Sequence, residues 1–208
     1  MEEELKVYKV EKILNYINGK LIEPKNGKYI PNYNPSTGKP YSLIPDSGKE
    51  DINMAVDAAK KAFKSWSNTT KQERSKILMK LADTIEEHFD ELVKAESKDN
   101  GKPETLAARV DIPRAPANIR FFAGAILHDS SKLHEMDGSA INYTLRQPLG
   151  VAACISPWNL PLYLLTWKIA PALATGNTVV AKPSEITPMT AYLLSKICIQ
   201  SGLPEGVL

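Results

Sequence analysis

Apolar residues recur along this chain at helical spacing in its first two-thirds and in short unbroken runs further on. Ile52, Ala55, Val56, Ala59, Phe63 and Trp66 fall on one face of a helix. Ile77, Leu78, Leu81, Ile85, Phe89 and Leu92 mark one or two more helices, which stop at Asn100-Gly101 before Pro103. Ser47 with Glu50, and Thr70 with Glu73, have capping-box spacing at the two starts. Residues 104–132 also read as helix, kinked or restarted by Pro113 and Pro116, with Ile119, Phe122, Ala123, Ile126 and Leu127 on the later apolar face. Tyr16 to Ile22 is a hairpin signal turning at Asn18-Gly19. Asn34 to Gly38 is a second turn, ahead of a short strand around Tyr41 to Ile44. Ser139 to Arg146 alternates as a strand does.

The pattern changes after residue 150. Val151 to Cys154 is a short apolar run that enters the turn Ile155-Ser156-Pro157-Trp158-Asn159-Leu160-Pro161. Leu160 to Ala174 is helical in pattern, and Thr175-Gly176-Asn177 is a stop signal. Thr178 to Ala181 is continuously apolar and β-branched, as buried parallel strands are. It runs into Lys182-Pro183-Ser184-Glu185, and a last helix starts near Thr187, with Pro188 in its first turn, and ends at Ser201-Gly202. Residues 150–201 therefore read as β-α-β-α. A right-handed crossover makes the strands parallel, so their carboxyl ends share one edge, where ligands bind in such sheets. Asn159 and the Lys182/Glu185 pair should flank one crevice. The fold class is α/β, an incomplete doubly wound, Rossmann-like sheet preceded by helices and a hairpin.

Composition narrows the partners more than the fold. The chain has 208 residues, 43% hydrophobic and 24% charged, enough for a sizeable core. Its 26 basic and 24 acidic residues leave a net charge of +2 with no basic run, so no nucleic-acid partner is expected. No stretch is apolar enough to span a bilayer, so no membrane partner is expected either. Met1-Glu2-Glu3-Glu4 lacks the apolar region of a secretory signal, which makes a cytoplasmic location the expectation. Cys154 falls on the expected buried strand and Cys198 in the last helix, where both read as small core hydrophobes. His88, His128 and His134 show no metal spacing, so no metal site is expected.

Taken alone, Asn159 reads as an N-cap, Lys182 and Glu185 as solvated charges, and Arg114 as a surface charge paired with Asp111. Leu160, Tyr163 and Trp167, spaced i, i+3, i+7, read as core. The motifs "NPSTGKP" (34–40), "SPWNLP" (156–161) and "WKIAPALATGNTVVAKPSE" (167–185) change these readings. Together they resemble the aldehyde dehydrogenase family, over about Asn15 to Leu208. "DIPRAPANIRFFA" (111–123) and "SPWNLPLYLLTWK" (156–168) resemble most the branch acting on the semialdehydes of 2-aminomuconic and 2-hydroxymuconic acids.

The resemblance implies NAD-dependent oxidation of an aldehyde to a carboxylate. It makes Asn159 the donor to the oxyanion of a thiohemiacetal and Lys168 a proton-transfer residue; the neighbours Trp167, Ile169 and Ala170 lead one to expect that Lys168 is buried. It places Ile155, Ser156, Pro157, Trp158, Lys182, Pro183, Ser184 and Glu185 on NAD, with Glu185 disfavouring NADP. Leu160, Tyr163 and Trp167 would line the aldehyde tunnel, and Arg114 would hold a substrate carboxylate. Arg120 is expected to be structural. Residues 1–133 correspond to the N-terminal part of the NAD-binding domain, 134–148 to an oligomerisation hairpin segment with an unpaired edge, and 149–208 to the first βαβα unit. The general base and the nucleophilic Cys fall later in family members, so the chain reads as an N-terminal portion, inactive alone, of a homo-oligomeric enzyme. The rival reading is a non-catalytic product acting through subunit contact. A generic nucleotide-binding module leaves the Pro-Trp-Asn turn unexplained.

Overall fold

The computed structural model describes residues 11–208. The acidic stretch Met1 to Glu4 lies outside them. Strands β1 (Glu11–Lys12), β4 (Tyr29–Asn34) and β5 (Lys39–Pro45) form a small sheet in the order β1-β5-β4. Between β1 and β4, β2 (Asn15–Ile17) and β3 (Lys20–Ile22) make the expected hairpin. Its turn residues Asn18 and Gly19 have φ of 52° and 74°, the left-handed pair that a tight hairpin requires.

Helices α1 (Lys49–Trp66), α2 (Lys71–Glu87) and α3 (Phe89–Asn100) follow. The second cap is as expected: the Thr70 hydroxyl accepts from Glu73 N–H, and Glu73 accepts from Thr70 N–H at 2.8 Å. The first is displaced by one residue. Gly48 is the N-cap and its N–H donates to Asp51 at 2.9 Å, because Ser47 is engaged with the Asn15 side chain instead. After a helical turn Glu104–Leu106 comes a π-helical segment, Ala107–Asp111, and then α4 (Ile112–Ala125). The backbone adapts to Pro113 and Pro116 by widening ahead of them rather than by breaking within. Helix ends at a 3₁₀ turn, Ile126–His128, short of the expected residue 132. There the chain turns into a hairpin, β6 (Leu133–Met136) with β7 (Ala140–Tyr143), whose residues are all exposed.

The last unit is β8 (Val151–Ile155), α5 (Pro161–Ala174), β9 (Thr178–Lys182) and α6 (Met189–Ser201). β8 and β9 pair in parallel, from Val151 opposite Thr178 to Ile155 opposite Lys182. Pro188 is the N-cap of α6 and lies outside its first turn. Met189 N–H is satisfied by Asp99 at 2.6 Å, and that carboxylate also accepts from Asn32 at 2.8 Å and from the Tyr41 hydroxyl. One buried Asp thus ties the small sheet, α3 and α6 together.

The core is continuous across the helices and the parallel pair, with Trp66, Leu78, Leu81, Ile85, Leu92, Ile112, Ile119, Leu162, Ile169 and Leu173 all buried. Buried carbonyls at a helix end need partners. At the C-terminus of α5, Leu173 O accepts from the Trp66 indole at 3.2 Å and Ala174 O from Arg74 Nε at 2.9 Å. Thr178 is fully buried, and its hydroxyl donates to Ala59 O of α1 at 3.0 Å, so α1 covers that face of β9. The other strand is less enclosed than its apolar sequence implies: Cys154 is buried but Ala153 and Ile155 are exposed.

Candidate active site

The turn after β8 is built by its prolines and by its neighbours. Pro161 occupies the first turn of α5, where a missing N–H costs nothing. Ser156 N–H donates across to Lys182 O at 3.1 Å, which extends the parallel pairing one residue past the strand ends. Asn100 Nδ2 donates to Trp158 O at 2.9 Å and Lys102 Nζ to Asn159 O at 3.3 Å. The backbone around Asn159 is therefore held by the end of α3 and the loop just after it, while its side chain is exposed. Pro157 and Trp158 are exposed too, and Ser156 is buried with its hydroxyl unpartnered.

At the end of β9, the Lys182 ammonium donates to Glu185 at 2.7 Å. Both side chains are more than half exposed, and the Lys182 bond holds the Glu185 carboxyl below its ordinary range. Lys182, Pro183, Ser184 and Glu185 border a largely apolar cleft of about 530 Å³, lined also by Ile13, Ile44 and Tyr192. Ile155 to Asn159 do not line it, so Asn159 and the Lys182/Glu185 pair do not share this cleft as expected. The expected cofactor residues thus fall into two groups, joined through the bond from Ser156 to Lys182.

Leu160, at the N-cap of α5, and Tyr163 on it are half-buried, and Trp167 is half-exposed. Tyr163 and Trp167 meet edge to face, with ring centroids 5.9 Å apart. The Arg114 guanidinium lies 5.9 Å from the Tyr163 centroid, so Arg114 joins the aromatic pair rather than Asp111. Asp111 is taken by the buried Lys102. Asn118 locks α4 to α5 by donating to Tyr163 O and to the Thr166 hydroxyl, each at 3.1 Å. Arg120 binds Asp83 and Glu86, away from the aromatic group, as a structural residue does.

Lys168 differs from expectation: it is exposed. The core-facing positions of α5 are Leu162, Leu165, Thr166, Ile169, Ala170 and Leu173, and Trp167 and Lys168 lie opposite them. The apolar character of Trp167 was misleading, since that ring is itself 51% exposed. Both thiols are buried as expected. Burial raises Cys154 above its ordinary value and pushes Cys198 up to about 12. Among the described residues no cluster of His, Cys, Asp or Glu is arranged to hold a metal, and no helix is long and apolar enough to cross a membrane.

Sequence reasoning passed over the buried group Glu96, Lys102 and Asp111. Their side chains are 0%, 8% and 1% exposed, and Lys102 Nζ lies 3.5 Å from Glu96. Burial, opposed by Lys102, pushes the Glu96 carboxyl up to about 7. Neither Glu96 oxygen makes a hydrogen bond of good geometry, although Leu162 N–H and the Thr190 hydroxyl are close enough to favour its charge. No local pattern singles out Lys102, a cation between a helix stop and a proline.

A profile described as the aldehyde dehydrogenase family matches residues 21–208. The chain is 53% identical over 195 residues to 2-aminomuconic semialdehyde dehydrogenase of Bos taurus, covering 93% of this chain and 40% of that protein. It is 44% identical to 2-hydroxymuconic semialdehyde dehydrogenase of Pseudomonas sp. (strain CF600), covering 95% and 42% respectively. The solved NAD+ complex of aldehyde dehydrogenase from Bacillus cereus superposes with a TM-score of 0.92 at 38% identity, over all of this chain and 43% of that one. The chain spans about two-fifths of the length of these relatives. With the α/β unit, the Pro-Trp-Asn turn and the profile match in agreement, the chain belongs to the aldehyde dehydrogenase family.

Proposed function

We propose that this chain forms the N-terminal part of an NAD-dependent dehydrogenase that oxidises an acidic semialdehyde of the aminomuconic or hydroxymuconic kind to the carboxylate. The observation that carries the proposal is the Asn159 turn, hydrogen-bonded through Ser156 to the strand end that bears Lys182 and Glu185. Asn159 offers an exposed amide on a backbone held at two carbonyls. Such a donor stabilises charge that develops on an aldehyde oxygen after attack by a thiolate supplied from outside these residues.

The residues at the end of β9 fit a dinucleotide ribose. Glu185 is an exposed acceptor kept ionised by Lys182, and Lys182 has further protons to donate. When bound, NAD supplies the hydride acceptor. Glu185 also opposes a 2′-phosphate by charge. Ile155, 67% exposed, offers apolar surface at the neighbouring strand end. Leu160, Tyr163 and Trp167 line the approach for an unsaturated substrate, with Arg114 placed for its far carboxylate. Lys168, facing solvent, is assigned proton exchange with water. The exposed β6-β7 hairpin is assigned to contact between subunits of a homo-oligomer, which also suits the non-catalytic reading of the segment by itself.

The test is Asn159→Ala in a full-length dehydrogenase carrying this segment. The expected result is a fall in kcat of about 10²–10³-fold, the usual cost of one oxyanion donor. A loss below about threefold, set against that range, overturns the assignment.

A further inference from the structure

We propose that Lys102 and Asn100 are positioning residues for the Asn159 turn, gripping its two exposed carbonyls and thereby setting where the Asn159 amide points. The proposal rests on the oxyanion reading of Asn159. Among the described residues, no turn hydrogen bond of the backbone closes the stretch from Pro157 to Asn159. What holds it comes from the end of α3 and the loop just after it: Asn100 Nδ2 to Trp158 O at 2.9 Å and Lys102 Nζ to Asn159 O at 3.3 Å.

The surroundings of Lys102 argue for position over stability. Its ammonium has three protons, and its neighbours are Asp111, Glu96 and the carbonyl of Asn159. One cation therefore serves two buried carboxylates, and Glu96 lacks a hydrogen bond of good geometry. A buried ionic group of this kind is often no more stabilising than a well-packed apolar one. Its directional effect is specific, however. Glu96 comes from α3 and Asp111 from the π-helical segment that leads into α4, which carries Arg114. Lys102 thus joins the turn of the oxyanion donor to the element bearing the candidate carboxylate ligand. Asn100 lies on the partly exposed end of α3, so its removal leaves the core unchanged.

The experiment is a double-mutant cycle in a full-length dehydrogenase carrying this segment. Lys102→Met and Asn100→Ala are each made with Asn159 present and with Asn159→Ala. With Asn159 present, Lys102→Met should lower kcat by roughly 10–100-fold, the scale of a misplacement near 1 Å, and Asn100→Ala by a few-fold. In the Asn159→Ala background each should change kcat by less than about twofold, because the group they aim is gone. A merely structural role predicts the same loss in both backgrounds, and that result overturns the proposal. An Asn159→Ala enzyme with normal kcat overturns the oxyanion reading and this proposal with it. Should Lys102→Met not fold, Asn100→Ala completes the same cycle.

Discussion

Asn159, Arg114 and Glu185 are exposed, and we propose one chemical task for each. For Arg114 the task is a substrate carboxylate. Its guanidinium lies 5.9 Å from the Tyr163 ring centroid, and Asp111 is bound by Lys102 instead. A charge-assisted bidentate contact is worth roughly 1.5–3 kcal/mol, and a neutral aldehyde cannot make it. Arg114→Ala should therefore raise KM for an acidic semialdehyde by about tenfold or more and leave a neutral aldehyde of similar length nearly unaffected. Steady-state kinetics on the two substrates checks this, and equal losses would make Arg114 structural. For Glu185 the task is discrimination between cofactors. Glu185→Ala removes the negative charge and frees Lys182, so the preference of kcat/KM for NAD over NADP should shrink by about tenfold. An unchanged ratio counts against the assignment.

At the scale of elements, the junction between α5 and β9 decides how the parallel pair is registered. Gly176 has φ of 88°, and Asn177 N–H closes back on Ala172 O at 3.0 Å. The Asn177 side chain then accepts from Leu149 N–H at 2.7 Å and from Gly150 N–H at 3.1 Å, which fixes the entry to β8. A Cβ on Gly176 would meet Pro148 at 2.8 Å. Gly176→Ala should therefore destabilise the fold by at least about 1–2 kcal/mol from the left-handed backbone alone. Gly124, inside α4, meets nothing within 4 Å, so Gly124→Ala should stabilise slightly through helix propensity. Urea unfolding of the two variants measures the contrast, and equal midpoints would show that the αL turn is not under strain. The same level shows where pattern reading succeeded. The Asn18-Gly19 turn, the Thr70 box and the Thr175-Gly176-Asn177 stop were legible because each is a local device. The Gly48 cap was not, because it depends on Asn15, distant in sequence, engaging Ser47; nor was the π-helical segment, because prolines in a helical pattern signal a kink or a restart without saying how the backbone adapts.

For the whole molecule, chemistry depends on groups that these residues do not offer in reactive form. The chain's two cysteines are buried, and burial holds both thiols above their ordinary values. The 208-residue chain alone should show no aldehyde-dependent NAD reduction, and neither thiol should react with a disulfide reagent until the fold is unfolded. Reduction that disappears on mutating Cys154 or Cys198 would overturn this. The exposed β6-β7 hairpin, with Leu133 and Ile141 each 64% exposed, is the edge we propose for association.

The sequence by itself determined the main helices, the Asn18-Gly19 hairpin, the parallel βαβα unit and the turn that carries Asn159, but not the strands Glu11–Lys12 and Tyr29–Asn34. The features it determined follow from apolar period, capping residues, Gly and Pro, which act over a few neighbours. The family motifs added the candidate site. Only the tertiary structure decided which charges are buried and whom they meet. Lys168 looked buried beside Trp167, yet the helix turns both outward. Lys102, which no local pattern singles out, lies between Glu96, Asp111 and the carbonyl of Asn159. The physical reason is that the period of a helix fixes which residues share a face, whereas the direction of that face is set by the elements packed against it.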